Sequence, residues 1–597
     1  MNSADKVAAL RRQMKTAGVS AYYVPSSDPH QSEYVPSCWQ RRQWVSGFTG
    51  SAGDVLIGLK KAGLWTDGRY FIQAEEQLAG SGIDLFRMGD SGVPTLDQHI
   101  TQSFTKRDTL GVDPSVVPIK RLAQLESAVA AAGASIKMLS GNLVDAIWND
   151  RPPVSDQPVM SLPVKFAGES VSQKLKRVRA SLAERGTNAL VVSTLDSIAW
   201  LFNIRGADVS YNPVAIAYAI VDTQGASLFI DDAKLAAKTI RGFGKSVSVH
   251  PYDALGKALH RLGTKGERVW IDSDTLNAWA RGQLEGAQLT EAPNPIERMK
   301  ARKNATELTG IRNAHVRDGV AVSRFLRWLD EEVSGGEVTE ISAADQLESF
   351  RREGDNFRGL SFPTISGYAH HGAIIHYSVD EASNIRLRPK GLYLVDSGAQ
   401  YLDGTTDITR TVLLGGRATK HQKSCFTRVL KGHIALATSR FPAGASGARL
   451  DSFARRALWD VGLDYGHGTG HGVGAFLNVH EGPQSISHGR GLAFALEVGN
   501  VQSNEPGYYE PGQFGIRTEN LIEVVRDDKL SAGGREFLRF DTLTLAPIDR
   551  RLIDIKLLNQ EELSWVDEYH QRVRRTLSKH LGAADRRWLR EATAPLR

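Results

Sequence analysis

Cysteine and long apolar runs are both scarce in this chain of 597 residues. Its two cysteines, Cys38 and Cys425, form no CxxC pair, which excludes a disulfide framework and a cysteine-rich zinc module and indicates a reducing compartment. No apolar run approaches the ~20 residues that span a bilayer, and the closest is the short stretch 213–221. The first residues lead into no apolar core of the signal-peptide type. We therefore expect a cytoplasmic protein with no membrane partner.

The overall composition is that of a folded enzyme. Charged residues make up 23% and aromatic residues 8% of the chain, which argues against a disordered or fibrous protein. The length is several times that of an ordinary domain, so we expect three or four domains.

The net charge of +6 is confined to the C-terminus. Residues 571–597 hold eight basic and two acidic side chains, which accounts for the whole excess. The neutral remainder argues against a nucleic-acid partner. Val573, Leu577 and Leu581 recur every four residues, as on an amphipathic helix. We expect a docked helix with a solvated basic face, and a polyanion-binding tail is the alternative.

Two segments of the first half share one pattern. Each has a helical lead-in (6–17 and 171–185), a short apolar strand, a helix ending in a turn near Gly-Ala, and a second apolar strand. Helices that alternate with short strands predict an α/β fold. The similarity predicts two copies of one non-catalytic domain type. The proline-rich stretch 151–163 should separate them, because it cannot continue regular structure.

A second break, Ala-Pro-Asn-Pro at 292–295, precedes the last domain. Asn304 and Glu307 have the spacing of a helix N-cap and its capping-box partner. Apolar residues continue at helical spacing to Leu329. We expect the last domain to begin near residue 300 with long helices.

Histidines and carboxylates concentrate in that last domain. Nine of the 16 histidines lie between His370 and His488. An apolar strand ends at Asp396, and eleven residues later Asp407 lies within a β-branched strand predicted for residues 404–411. A hairpin would bring both carboxylates to the same end of a sheet. A turn-capping Asp396 and a solvent-facing Asp407 are an equal alternative for this pair alone.

Residues 466–474 alternate glycine with other residues and carry His467 and His471, with His480 following. Glycines let a backbone approach a ligand closely. The segment contains no GxxxxGK[ST] and no GxGxxG, so a phosphate-binding loop fits poorly. The histidines suit a metal site or a proton-transfer site.

Two more carboxylates follow in the same domain. Glu505 precedes Pro-Gly, and Glu519 lies in an alternating Ile-Arg-Thr-Glu segment with Arg517 on the same predicted strand face. Taken alone, these patterns are typical of a turn residue and of a half-solvated strand.

Taken in order, Asp396, Asp407, His471, Glu505 and Glu519 resemble the five-ligand site of the pita-bread metallopeptidases. Segments 30–34 and 66–71 resemble the first domain of the long, three-domain, cytosolic type of aminopeptidase P within that family. The resemblance implies an α/β (α+β) fold. Its parts would be creatinase-like domains at 1–155 and 156–298, a pita-bread catalytic domain at 299–545, and a C-terminal extension at 546–597.

The resemblance also implies two divalent metal ions. Asp407 and Glu519 would bridge the ions, Asp396 would complete one, and His471 with Glu505 would complete the other. The oxygen-rich set favours Mn(II), although affinity rankings leave the metal open. A hydroxide shared by the ions would attack the first peptide bond, with Glu505 carrying the proton.

Further site residues follow from the same resemblance. His376, His467 and His480 match catalytic histidines, of which His376 and His480 also bind substrate and His467 lies near the residue after proline. Arg69 matches a substrate-site arginine that the first domain presents. Arg517 is expected to hold a ligand carboxylate.

The expected activity is removal of the N-terminal residue from peptides with proline in the second position, by a homodimer of the kind usual in the family. One alternative is a prolidase restricted to Xaa-Pro dipeptides, whose usual two-domain length is shorter. The other is a metal-free pita-bread binding module, which would lack the ligand set.

Overall fold

The computed structural model describes residues 1–489 and 494–596, and the chain divides into two compact units. The first unit comprises Met1–Leu162 and Glu169–Ile296, and the second comprises Pro163–Gly168 and Glu297–Arg597. Arg597 itself, the last basic residue of the tail, lies outside the described residues. Among the described residues, no helix combines the length and the apolar character that crossing a membrane requires.

The N-terminal half of the first unit is built on a six-stranded sheet of order β4-β3-β2-β1-β5-β6. β2 is antiparallel to β1 and β3, and the other neighbours are parallel. The strands are β1 (Ala21–Val24), β2 (Asp54–Gly58), β3 (Ala62–Thr66), β4 (Asp84–Arg87), β5 (Thr109–Val112) and β6 (Ser135–Met138). The helices are α1 (Ser3–Ala17), α2 (Arg41–Ser46), α3 (Phe71–Gln77), α4 (Leu96–Ser103) and α5 (Ile119–Ala131).

Both faces of this sheet are buried. Along β1, Tyr22 and Val24 belong to one hydrophobic cluster, whereas Ala21 and Tyr23 belong to another. Successive side chains of a strand point to opposite faces. The continuous apolar run of this strand therefore reflects a sheet that is covered on both sides.

The second half of the unit repeats the arrangement, with the order β12-β11-β10-β8-β13-β14 and the same strand directions. Its strands are β7 (Met160–Ser161), β8 (Ala189–Val192), β9 (Ile204–Arg205), β10 (Ala217–Asp222), β11 (Ala226–Ile230), β12 (Val247–His250), β13 (Arg268–Ile271) and β14 (Gln288–Glu291). The helices of this stretch are α6 (Val164–Ala167, in the second unit), α7 (Val171–Arg185), α8 (Leu195–Leu201), α9 (Ala237–Gly242), α10 (Leu255–Thr264) and α11 (Ala278–Gln283). The predicted repeat of one α/β domain is confirmed.

Long helices and antiparallel sheets make up the second unit. The helices are α12 (Pro295–Ala301), α13 (Ala305–Glu332), α14 (Glu340–Arg352), α15 (Lys420–Ala437), α16 (Asp451–Trp459), α17 (Asp528–Ser531), α18 (Gln560–Leu577) and α19 (Ala583–Ala592). The capping box of Asn304 and Glu307 starts α13, as predicted. Val322, Phe325 and Leu329 of this helix are buried in one core cluster.

Two sheets of this unit carry the residues of interest, in the orders β16-β17-β20 and β21-β28-β27-β24-β22-β23. Smaller sheets have the orders β15-β18-β19 and β25-β26. The strands are β15 (Phe357–Leu360), β16 (Ile365–Tyr368), β17 (Leu392–Ser397), β18 (Ala399–Tyr401), β19 (Gly404–Thr405), β20 (Ile408–Leu413), β21 (Arg440–Pro442), β22 (Gly470–Gly472), β23 (Glu481–Ile486), β24 (Val501–Asn504), β25 (Gly507–Glu510), β26 (Phe514–Arg517), β27 (Asn520–Arg526) and β28 (Phe537–Thr542).

The C-terminal helix is docked. Val573 and Leu577 of α18 are fully buried in a core cluster of the second unit. The helix ends at Leu577, so the prediction that Leu581 continues it is wrong. The chain turns before α19, and Leu581 is buried from that turn.

Candidate metal centre

Asp396 and Asp407 lie at the same end of the sheet that contains β17 and β20. β17 and β20 are antiparallel, and Asp396 pairs with Thr409, two residues beyond Asp407. The connection between them is the small hairpin of β18 and β19. The predicted hairpin therefore exists, and it leaves both carboxylates buried. The prediction of one strand over 404–411 is wrong, because Asp407 lies between β19 and β20.

The glycines around His471 allow three strands to approach closely. A Cβ on Gly470 would lie 2.0 Å from the carbonyl oxygen of Ser503, and one on Gly472 would lie 2.2 Å from that of Glu481. Real Cβ atoms do not come this close to a carbonyl oxygen, so only glycine fits at both positions. The backbone N–H of His471 donates to Ser503 Oγ (2.9 Å). β22 is thus held against β24, next to Glu505.

Glu505 and Glu519 flank a second antiparallel pair. Asn504 at the end of β24 pairs with Asn520 at the start of β27, so the two glutamates lie at the same sheet end. The prediction of one strand carrying both Arg517 and Glu519 is wrong, since β26 ends at Arg517 and β27 begins at Asn520. The N–H of Glu519 donates instead to the carbonyl of Thr409 (3.2 Å). At this point the chain passes from the sheet of β25 and β26 to the sheet that contains β27.

The donor atoms converge. His471 Nε2 lies 3.5 Å from Asp407 Oδ2 and 3.4 Å from Glu505 Oε1. One ligand atom from each of Asp407, His471 and Glu519 lies within 4.8 Å of the other two. This spacing suits groups that share a cation.

Two of the carboxylates have one oxygen held by the protein and one without a partner. Thr409 Oγ1 donates to Glu519 Oε2 (2.7 Å), and Arg517 Nη2 donates to Asp396 Oδ2 (2.6 Å). Within the described residues, the buried Glu519 Oε1 and Asp396 Oδ1 have no hydrogen-bond partner. Buried polar atoms without partners are costly, and a bound cation would satisfy both. The donor set of four carboxylates and one imidazole fits divalent ions.

The pKa values of the clustered side chains also indicate a site for cations. Burial and the neighbouring carboxylates outweigh Arg517 and raise the pKa of Asp396 to about 6. Burial followed by the repulsion of Asp407 also raises the pKa values of Glu505 and Glu519. Burial opposes the charged form of His471, but Asp407 and Glu505 outweigh it and raise its pKa to about 9. The cluster therefore favours bound positive charge.

Arg517 and Tyr509 link this cluster to His467. Besides Asp396, Arg517 donates from Nε to Thr409 Oγ1 (3.0 Å) and from Nη1 to the hydroxyl of Tyr509 (2.7 Å). His467 Nε2 lies 2.9 Å from the same hydroxyl. Sequence reasoning missed Tyr509 and Thr409 as site residues. The only local signal for Tyr509 was its place just after Glu505-Pro506-Gly507.

The remaining predicted histidines border the cluster. The rings of His480 and His471 meet edge to face, with centroids 4.2 Å apart. His376 is half-buried and follows Ile375, whose carbonyl is 3.4 Å from Arg517 Nη1. No functional role is predicted for His371, whose Nδ1 lies 2.9 Å from the buried carboxylate of Glu340.

Arg69 lies in the first unit. Its guanidinium forms a two-point ion pair with Asp67, from Nε to Oδ1 (2.8 Å) and from Nη2 to Oδ2 (2.7 Å). Burial lowers the pKa of Arg69, but the bond to Asp67 outweighs it and the pKa is raised. The substrate contact predicted for Arg69 stays a prediction.

Family models match nearly the whole chain. The Creatinase/Prolidase N-terminal domain matches residues 6–147 and, in a second model, residues 150–307. Metallopeptidase family M24 matches residues 309–526, and the C-terminal region of peptidase M24 matches residues 536–596.

Relatives with curated names match over the full length. Aminopeptidase P2 of Arabidopsis thaliana is 42% identical, over 99% of this chain and 88% of that protein. A probable Xaa-Pro aminopeptidase P of Coprinopsis cinerea is 42% identical, over 100% of this chain and 99% of that protein.

Solved structures agree with the sequence relatives. The X-prolyl aminopeptidase of Caenorhabditis elegans, described as a cytosolic enzyme with a di-nuclear active site, superposes with a TM-score of 0.96 at 36% identity and covers 100% of both chains. A Xaa-Pro dipeptidase of Bacillus anthracis has a TM-score of 0.51 at 21% identity, over 64% of this chain and 99% of that chain. The latter similarity concerns the fold alone.

Proposed function

Because the chain belongs to the aminopeptidase P members of metallopeptidase family M24, we propose that it removes the N-terminal residue from peptides whose second residue is proline. The full-length similarity to Xaa-Pro aminopeptidases supports this activity. The observation that carries it is the convergence of Asp407, His471 and Glu519, beside two carboxylate oxygens, of Asp396 and Glu519, that have no hydrogen-bond partner in the described part of the chain.

We propose Asp396, Asp407, His471, Glu505 and Glu519 as the ligands of two divalent cations, with Mn(II) favoured by the oxygen-rich set. Such cations, when bound, lower the pKa of water and stabilise negative charge on a carbonyl oxygen. Arg517 and Thr409 each fix one oxygen of a ligand carboxylate, which orients the other oxygen toward the cluster.

The other side chains act on the peptide and its protons. We assign Glu505 as the proton carrier, because its carboxylate lies at the cluster, 3.4 Å from His471 Nε2, where Ser503 Oγ donates to it (2.9 Å). We assign His376 and His480 to hydrogen bonds with the scissile carbonyl. His467, held by the Tyr509 hydroxyl, is assigned to the residue that follows proline.

Several expectations extend this proposal. We keep domain limits at 155, 298 and 545, which fall near the limits of the matched family models. A cytosolic location is supported by the description of the Caenorhabditis elegans enzyme. A homodimer and a substrate contact by Arg69 rest on family resemblance alone.

One experiment separates the three functions considered. The protein is treated with a chelator, reloaded with Mn(II), analysed for metal content, and assayed on a Xaa-Pro-Xaa tripeptide and a Xaa-Pro dipeptide. We expect two ions per chain and release of the first residue from the tripeptide. Cleavage of the dipeptide alone would indicate a prolidase. Absence of both metal and cleavage would indicate a binding module.

A further inference from the structure

A buried arginine holds the backbone of residues at the proposed metal centre. Arg410 of β20 follows Thr409 and has only 2% of its surface exposed. Its Nη1 donates to the carbonyl oxygens of Glu519 (2.6 Å) and Thr409 (2.9 Å). The guanidinium thus holds the backbone of one proposed ligand, Glu519, and of Thr409, whose hydroxyl binds the carboxylate of that ligand.

Three further acceptors of Arg410 come from the C-terminal extension. Nε donates to the carbonyl of Pro547 (3.0 Å), and Nη2 donates to the carbonyl of Ala546 (2.9 Å) and the hydroxyl of Tyr569 (3.0 Å). Tyr569 lies on α18 and donates in turn to the carbonyl of Ala546 (2.9 Å). A buried guanidinium needs acceptors for all its N–H groups. This C-terminal segment supplies half of those contacts.

The same arginine fixes the side chain next to Glu519. Asn520 Oδ1 accepts from Arg410 Nη2 (2.8 Å), so the amide nitrogen of Asn520 faces His433 Nε2 (3.1 Å). His433 Nδ1 therefore donates to the carbonyl of Asn504 (3.1 Å), the residue before Glu505. Burial, followed by the charge of Arg410, lowers the pKa of His433 to about 3, which keeps this ring neutral.

We propose that Tyr569 is a positioning residue for the metal centre, acting through Arg410 on the backbone of Glu519. α18 contributes no ligand of its own. It fixes the orientation of the arginine. The arginine fixes the start of β27, next to Glu519, and, through Asn520 and His433, the end of β24, next to Glu505. This gives the C-terminal extension a role in metal affinity. The inference rests on the proposed function, because it takes Glu505 and Glu519 to be metal ligands.

The test is the affinity of the full chain for Mn(II), measured by calorimetric titration after chelator treatment, for wild type and Tyr569→Phe. The substitution keeps the ring, which stacks on Trp565 at a centroid distance of 5.3 Å, and removes only the hydroxyl. We expect affinity about tenfold weaker, the lower end of the effect of losing a group that orients metal ligands. At saturating Mn(II), KM for the tripeptide should be unchanged.

The matched control is Tyr368→Phe. The Tyr368 hydroxyl also donates to a backbone carbonyl, that of Lys390 (2.9 Å), and we expect metal affinity to remain at the wild-type value. Wild-type affinity in Tyr569→Phe, or equal weakening in both variants, would overturn the inference. If Tyr569→Phe does not fold, Asn520→Ser is tested instead, because it removes the amide that connects Arg410 to His433. Unchanged Mn(II) affinity in that variant would also overturn the inference. A wild type that binds no Mn(II) would instead refute the proposed function.

Discussion

Removing the cations should leave a protein whose stability depends on pH through His471. Burial opposes the charge on this ring, but Asp407 and Glu505 raise its pKa from an ordinary 6.5 to about 9. The protonated ring therefore stabilises the folded state. That contribution is fully present below pH 6.5 and is lost as pH rises through 9. The difference between the two pKa values corresponds to about 3 kcal/mol.

The assay compares chelator-treated wild type with chelator-treated His471→Gln by urea unfolding at pH 6.5 and pH 9. Between pH 6.5 and pH 9, the free energy of unfolding of the wild type should fall by about 3 kcal/mol relative to that of the variant. Because a cation takes the place of the proton, the apparent affinity of wild type for Mn(II) should rise about tenfold per pH unit over the same range. A difference in free energy of unfolding between wild type and variant that stays constant with pH would refute the reasoning.

Three further changes test separate parts of the site. His480→Ala should lose most turnover yet bind Mn(II) as the wild type does, and loss of metal measured by elemental analysis would show that it is a ligand. Gly470→Ala should destabilise the chain by about 3 kcal/mol in urea unfolding, because its Cβ would clash with a strand carbonyl. Gly466→Ala is the control and should be neutral, because no atom of the described residues lies within 4 Å of its Cβ. Tyr509→Phe should lower kcat about tenfold, because Arg517 loses one of its fixed partners, and an unchanged kcat would contradict the assigned role.

Local patterns predicted the parts of this fold that depend on near neighbours in sequence. The start of α13 followed from Asn304 and Glu307, which are three residues apart and form the capping box. The approach of Asp396 to Asp407 followed from one hairpin. The repeated α/β domain followed from the order of helices and apolar strands, and both sheets have the predicted kind of repeat.

The parts that were missed depend on residues far apart in sequence. Thr409 and Arg410 donate hydrogen bonds to Glu519, which lies more than one hundred positions later in the sequence, between β26 and β27. The break between Arg517 and Glu519 was invisible because the alternation of side chains continues across it, while the backbone partner changes to Thr409. The end of α18 at Leu577 was missed because the apolar spacing continues to Leu581 in the following turn.

The most direct test of the metal centre is Asp407→Asn, assayed for cleavage of a Xaa-Pro-Xaa tripeptide and for metal content. Asp407 Oδ2 lies 3.5 Å from His471 Nε2, and one ligand atom from each of Asp407, His471 and Glu519 lies within 4.8 Å of the others. An amide cannot supply the charge of a carboxylate to two cations. We expect a folded variant, by circular dichroism, with no measurable cleavage and fewer than two ions per chain. Normal turnover with two bound ions in the folded variant would contradict the assignment of this centre.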